Sequence, residues 1–548
     1  MLLLLASLLV SMPFAANAAT LQSAPLNPAF VSMMQRQENG IMAMSPTGRP
    51  LGYRPSPLDL SHVKVLSHGS LAASTAVLPS RYDLREHNLV TAVHDQGQYG
   101  TCWAFGAFAS LESTLKKESG TAHDFSEWHL AYFAYEDYSA SLPAFSMYEI
   151  APGEDPIFDQ GGDIWKATAI LARWTGAVSE SERPYSSAKP WSESSRPLAT
   201  DRVSNHLENA IYLPVPLDVD TVKNALMSQG AVTIAMEWDD AAYNYATASF
   251  FNPSGEWANH QVTIIGWDDN YPAANFITPP PINGAWLVKN SWGTGFGDAG
   301  YFWISYMEGS LCDAAVFFGA STTLFDKIYQ YDPLGWTNSA GFSEGSDTAW
   351  FANIFNAIGS GSPTNAELLK AVSFYAGQTD STYRIEVRTG VNAGNPASGT
   401  IANVTEGILG TVGYHTVSLS SNVALTQGEL FSIIVRLTTP GYNFPIPIER
   451  PIPEYSDKAR ANAGESFASR DGVDWKDTTT IGGSSGNDNV CLKAFSSSGT
   501  TPTPSSAPDP APTPRNGGGG CSVGAGTAMP AVLLLMIPLA VLLKGIVK

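Results

Sequence analysis

The sequence predicts an α+β domain of two packed subdomains, helical early and strand-rich late, followed by an all-β sandwich. Three observations predict it. Cys102 to Lys117 places Trp103, Phe105, Phe108, Ala109 and Leu111 at the spacing of a buried helix and stops at Glu118-Ser119-Gly120. Later segments such as QVTIIGW (Gln261 to Trp267) and GYFWISY (Gly300 to Tyr306) are short and rich in β-branched and aromatic residues, as strands are. From about Phe325 to Phe495, segments such as AVSFYA, YRIEVRT, HTVSLS and FSIIVRL run over strand length between Gly, Asn, Pro and Ser clusters, the spacing of a sandwich.

A chain of 548 residues is too long for one core, and 44% apolar with 11% aromatic residues suffices for packed domains. Thirty Lys plus Arg against fifty Asp plus Glu give a formal charge of −20. A chain this acidic repels phosphate backbones, which excludes nucleic acid as a partner.

In chain order, residues 1–18 read as a secretory signal: an apolar run ends at Ala16-Asn17-Ala18, without a basic start. The alternative is a buried N-terminal helix. Residues 19–78 read as a short pro-segment without a long amphipathic helix, or as a loosely folded extension. The α+β region is 79–319 and the sandwich 325–495. Residues 496–520 form a Ser/Thr/Pro/Gly linker that buries no core. In the last segment, 521–548, Val523 to Leu543 is long enough to cross a bilayer and Lys544 and Lys548 mark a cytoplasmic side.

Cys102 has three readings: nucleophile, core residue or half of a disulfide. A cysteine attacks carbonyls as a thiolate, and a helix N-terminus or an imidazolium lowers its pKa. Cys102 opens the predicted helix, and its backbone N–H and the Gln96 amide are candidate donors to the oxyanion that attack creates. Of nine histidines, His260 in WANHQVTIIGW stands at the entrance to an apolar strand, where a base is held rigidly. Asn290 is a neutral amide able to accept its N–H, and Trp292 is placed to shield that bond.

These motifs resemble the papain-like cysteine peptidases. The resemblance runs through Leu78-Pro79, Asp83-Leu84-Arg85, DQGQYGTCWAF, the glycine pair 161–162, NHQVTIIGW and KNSWGTGFGDAGYFW, in the family's order. It implies Cys102 as nucleophile, His260 as acid and base, Asn290 as its orienter and Gln96 as oxyanion donor, with no metal or other cofactor. It places Gly162, Asp163, Ile164, Ala235, Ala258, Asn259 and Trp292 in substrate binding, Gly162 through an unobstructed backbone and Asp163 as a rim charge favouring a basic side chain. Tyr99 and Asp159 stand where the family usually has a disulfide. The spacing from Cys102 to His260 and Asn290 exceeds the family's roughly 130 to 150 residues, which insertions around Tyr135 to Asp159 and Tyr271 to Asn283 account for.

The β region resembles the lectin-like domains that follow such catalytic domains in exported bacterial proteins, which implies binding of surface glycans or proteins; a structural appendage is the alternative. Cys312 and Cys491 either pair or remain free thiols. The glycine run, Cys521, apolar stretch and basic end resemble a C-terminal sorting signal, with a permanent membrane anchor as the alternative. The expected protein is an exported, surface-associated endopeptidase acting on polypeptides; the rival is an inactive scaffold serving as an adhesin.

Overall fold

The computed structural model describes residues 20–36, 44–63, 77–135, 157–186, 197–198, 200–214, 216–361, 366–481 and 483–499. Its helices are α1 (Pro28–Gln35), α2 (Cys102–Ser119), α3 (Glu127–Tyr135), α4 (Ile164–Ala172) and α5 (Val219–Ser228). The predicted signal and the membrane segment lie outside the described residues. Among the described residues no helix is long and apolar enough to cross a membrane.

Helix α2 is the axis of the catalytic region. Every residue from Cys102 to Leu115 is buried, because strands pack against it on one side and α3 and α4 on the other. It ends where Lys116 and Lys117 complement the negative end of the helix and Gly120, at φ 72°, turns the chain out in the left-handed conformation. Trp103, Phe108, Trp128 and Ile170 share a core on the helical side. Ile234, Trp267, Trp286 and Phe302 share another on the strand side. Two cores make the two subdomains that the residue pattern predicts.

On the strand side the order is Asn205–Tyr212, Cys312–Ser321, Val232–Met236, His260–Asp268, Ala285–Lys289 and Tyr301–Ser305, each antiparallel to the next. The sheet does not stop at the catalytic region. Strand Val412–Leu425 of the β region pairs with Asn205–Tyr212 through Val412 opposite Tyr212 and Tyr414 opposite Ala210. Gly413 permits this: a Cβ there would sit 1.9 Å from the Ala210 carbonyl oxygen. The sandwich is therefore fused to the catalytic region edge to edge, which strand periodicity alone does not reveal.

The four strand segments read from the β region are strands Ala366–Ala376, Ser381–Thr389, Val412–Leu425 and Leu430–Thr438. Their inward residues, among them Phe374, Ile385, Val387, Ile433 and Val435, build the sandwich core. The last strand, Leu492–Gly499, takes in the first residues assigned to the linker.

The N-terminal segment is tied to the sandwich near its start. Leu21–Ser23 adds a strand beside Asn338–Phe342 of the sandwich, and Phe30 and Met33 of α1 pack on Ile452 and Tyr455. That is more order than a loose extension has. Cys102, Cys312 and Cys491 are free thiols.

Candidate active site

Cys102 begins α2, where the unpaired backbone N–H groups of the first turn converge. The Gln261 N–H lies 3.3 Å from its Sγ. Gln261 follows His260, which opens strand His260–Asp268 opposite Met236. Strand pairing thus brings the base to the thiol.

His260 is fully buried and its Nε2 lies 2.8 Å from Asn290 Oδ1. That oxygen also accepts the Ser291 N–H at 2.8 Å, so it is an acceptor and the ring proton is assigned to Nε2. Nδ1 is left buried without a hydrogen-bond partner among the described residues, free to exchange a proton with the thiol. Trp292 stacks on the imidazole, with ring centroids 4.5 Å apart. It covers the His260–Asn290 bond, and Arg49 lies over its ring.

Replacing Asn290 with alanine removes the acceptor that fixes the imidazole. We expect kcat of the matured chain to fall about 10- to 100-fold with KM nearly unchanged, in steady-state peptide hydrolysis. A change confined to KM contradicts an orienting role.

Gln96 is buried, its Oε1 accepting from Ser291 Oγ at 2.7 Å and its Nε2 donating to Tyr99 O at 2.8 Å. The same Nε2 donates to the carbonyl of Pro50 at 3.1 Å. The turn that aims it is held by Asp95 Oδ1, which accepts the Gly97 N–H.

Pro50 belongs to the N-terminal segment, and its neighbours fill the cleft. Gly162 N–H donates to Gly52 O and Arg54 N–H donates to Gly162 O, both at 2.9 Å; Tyr53 N–H donates to Asn259 O at 3.1 Å. Gly162 therefore pairs with an extended segment of this same chain. A Cβ at Gly162 would sit 2.5 Å from the Trp103 ring, so glycine is required by the helix behind it. The Tyr53 side chain packs with Cys102, Ala235, Ala258 and Cys312, and its hydroxyl donates to Asp313 Oδ2 at 2.5 Å. Behind it lies a cavity of about 190 Å³ bordered by Ile164, Trp165, Tyr212 and Leu213.

Asp163 is a correction. It caps α4, accepting the Lys166 N–H at 2.8 Å and the Tyr455 hydroxyl at 3.1 Å, and is fully buried. Lys166 Nζ lies over the Tyr455 ring. Its charge faces the sandwich loop, so it is not a rim residue. The acid on the cleft occupant is Asp313, which sequence reasoning missed, together with Cys312 and the blocking residues Pro50, Gly52 and Tyr53.

Burial dominates the electrostatics. It pushes the Cys102 thiol up to about 12 and the His260 imidazole down to about 4, so with the segment docked the pair is neutral. The places of the family's disulfide are bridged otherwise: Asp159 Oδ1 accepts the Gly100 N–H at 3.1 Å, and Tyr99 packs edge-on to Trp128 and Phe158. Of the two insertions, the first lies largely outside the described residues. The second is tied to Asn244, Thr247 and Ser249 through the Asn275 carbonyl.

Comparison with known proteins agrees with this geometry. Residues 78–318 match the papain family of cysteine proteases and residues 328–496 a lectin-like domain. The chain is 26% identical to ananain of Ananas comosus over 50% of its own length and 67% of that protein. It is 25% identical to papain of Carica papaya over 46% of its length and 61% of that protein. The match thus spans about two thirds or less of these relatives. Among solved structures, the protease and lectin-like domains of Cwp84, a surface layer associated protein of Clostridium difficile, superpose with TM-score 0.69 at 24% identity, covering 88% of this chain and 99% of that one. The clostridial protease Cwp84 after propeptide cleavage gives TM-score 0.64 at 26% identity, covering 77% and 100%. Residues 78–318 are thus a papain-family cysteine protease domain, and residues 328–496 a lectin-like domain behind it.

Proposed function

We propose that the chain is an exported cysteine endopeptidase made as a self-blocked precursor. The observation that carries this is the Pro50 carbonyl on the Gln96 amide, a backbone carbonyl held by the donor assigned to the oxyanion. In the matured protein Cys102 Sγ attacks a peptide carbonyl, and the oxyanion is held by the Gln96 amide and the Cys102 N–H. His260, protonated by the thiol, returns the proton to the leaving amine as the C–N bond breaks. Water activated by His260 then hydrolyses the thioester. Asn290 keeps the imidazole in place for both transfers, and Trp292 keeps water from that bond.

The precursor reading rests on residues 50–54 filling the cleft, and export on the signal-like residues 1–18 and the surface-layer association stated for Cwp84. Residues 521–548 are the proposed tether, removed or retained, which the intact mass of the surface form decides. The lectin-like domain serves first to hold the N-terminal segment, through the strand Leu21–Ser23 and the contacts of Ile452 and Tyr455. Binding of surface glycans or proteins is its second role.

The test is labelling of the matured chain with a thiol-directed epoxide while following casein cleavage. An adduct at Cys102 that stops internal cleavage is expected. A correctly folded, matured chain with no adduct and no cleavage overturns the reading in favour of an inactive adhesin scaffold.

A further inference from the structure

The side chain that enters the cleft beside Cys102 is met by an acid whose backbone is out of the ordinary. Strand Cys312–Ser321 pairs with Val232–Met236 through Cys312 opposite Ala235 and Ala315 opposite Thr233, with a bulge between. Asp313 lies in that bulge at φ 48°, the left-handed region. In a regular strand, adjacent residues point to opposite faces. Here the extra residue and the positive φ bring two successive side chains to one point: the Tyr53 hydroxyl is 2.5 Å from Asp313 Oδ2 and 3.8 Å from Cys312 Sγ. Bulges beside active sites re-aim a side chain in this way.

The surroundings define what that carboxyl can recognise. The walls beside Cys102 are the small side chains of Ala235 and Ala258, and the cavity beyond is bordered by Ile164, Trp165, Tyr212 and Leu213 on one side and by the departing segment, through Leu58 and Asp59 among others, on the other. Such a space takes a flat ring. Asp313, the acid that stays with the cavity when the segment and its Asp59 leave, is buried enough to be pushed up to about 7 and lacks water as a substitute partner once the space is filled.

We propose that Asp313 is a specificity-determining residue, and that once the N-terminal segment leaves, the pocket selects substrates carrying tyrosine in preference to phenylalanine. This rests on the cysteine endopeptidase reading. A site built to receive a hydroxyl rejects the analogue lacking it because the acceptor is then left unpaired.

The test uses the full chain, matured and titrated with a thiol-directed epoxide to count active sites. Fluorogenic peptides differing only at the second residue before the scissile bond, with Tyr, Phe, Leu or Arg there, give kcat/KM. Tyrosine is expected to exceed phenylalanine by at least about tenfold. Asp313→Gly tolerates φ 48° and deletes the carboxyl; it is expected to bring the ratio within about twofold while Phe cleavage and Cys102 labelling persist. Asp313→Asn keeps the shape and an acceptor oxygen and is expected to give an intermediate ratio. A wild-type ratio near one, arginine above tyrosine, or a ratio unchanged in both variants overturns the proposal and leaves the peptidase standing. Cleavage of none of the peptides, with no adduct at Cys102, overturns both.

Discussion

Cys102→Ala is expected to lower peptide hydrolysis by the matured chain by about 10⁴-fold or more, to the level left by binding and the oxyanion donors alone. The position explains the size. Sγ lies at the start of an 18-residue helix, where orphan N–H groups favour an anion, and the residue after His260 donates its N–H to the sulfur. An alanine keeps the helix and the packing, so its circular dichroism and melting curve should match the parent. Loss of hydrolysis in a chain that melts normally separates chemistry from folding. A residual activity within tenfold of the parent contradicts the nucleophile assignment.

The same residue gives a pH signature. With the segment docked, burial pushes the thiol up to about 12 and the imidazole down to about 4. Between those values the docked chain holds a neutral thiol and a neutral imidazole, and little thiolate forms at pH 7 to 9. Removing the segment re-admits water, so the thiol pKa falls and the imidazole pKa rises. Alkylation of Cys102 in the matured chain should then be fast near neutrality, and hydrolysis should follow a bell whose limbs belong to the pair.

The residues to which the chemistry is assigned are legible because chemistry restricts residue type. Cys102, Gln96, His260 and Asn290 are recognisable from neighbours such as the glycine turn and the apolar strand, and the structure brings all four together. Asp163 misled because a helix-capping carboxylate and a pocket carboxylate look alike in one dimension; only its hydrogen bonds to Lys166 and Tyr455 tell them apart. Asp313 was hidden for the converse reason. Its aim comes from a strand bulge and a positive φ, which an ordinary-looking Cys-Asp-Ala sequence does not announce. The edge pairing of Asn205–Tyr212 with Val412–Leu425 was equally hidden, since alternation records which face is buried and not which edge is covered.

Gly52→Val is expected to raise the activity of the uncleaved precursor by about 10²- to 10³-fold. A Cβ at residue 52 would sit 2.3 Å from both the carbonyl carbon and the oxygen of Gly100. Those are backbone atoms just ahead of Cys102, held by the Asp159 bond to Gly100 N–H, so no side-chain rotation relieves the clash. The segment must lift, and the Gly52 O contact with Gly162 and the Pro50 contact with Gln96 go with it. A loss of about 3 to 4 kcal/mol in docking corresponds to that range, at 1.4 kcal/mol per factor of ten. The anchors elsewhere are untouched: Leu21–Ser23 stays in the sandwich sheet and Phe30 and Met33 stay on Ile452 and Tyr455. The substituted chain should therefore cleave a small fluorogenic peptide and take up the epoxide at Cys102 while its N-terminal segment is still intact by mass. Adding Cys102→Ala to the same chain prevents self-processing and leaves a clean comparison of exposure, read as hydrogen exchange around residues 50–54 and 96–102. If the uncleaved Gly52→Val chain stays as silent as the parent, residues 50–54 are not what holds the site closed.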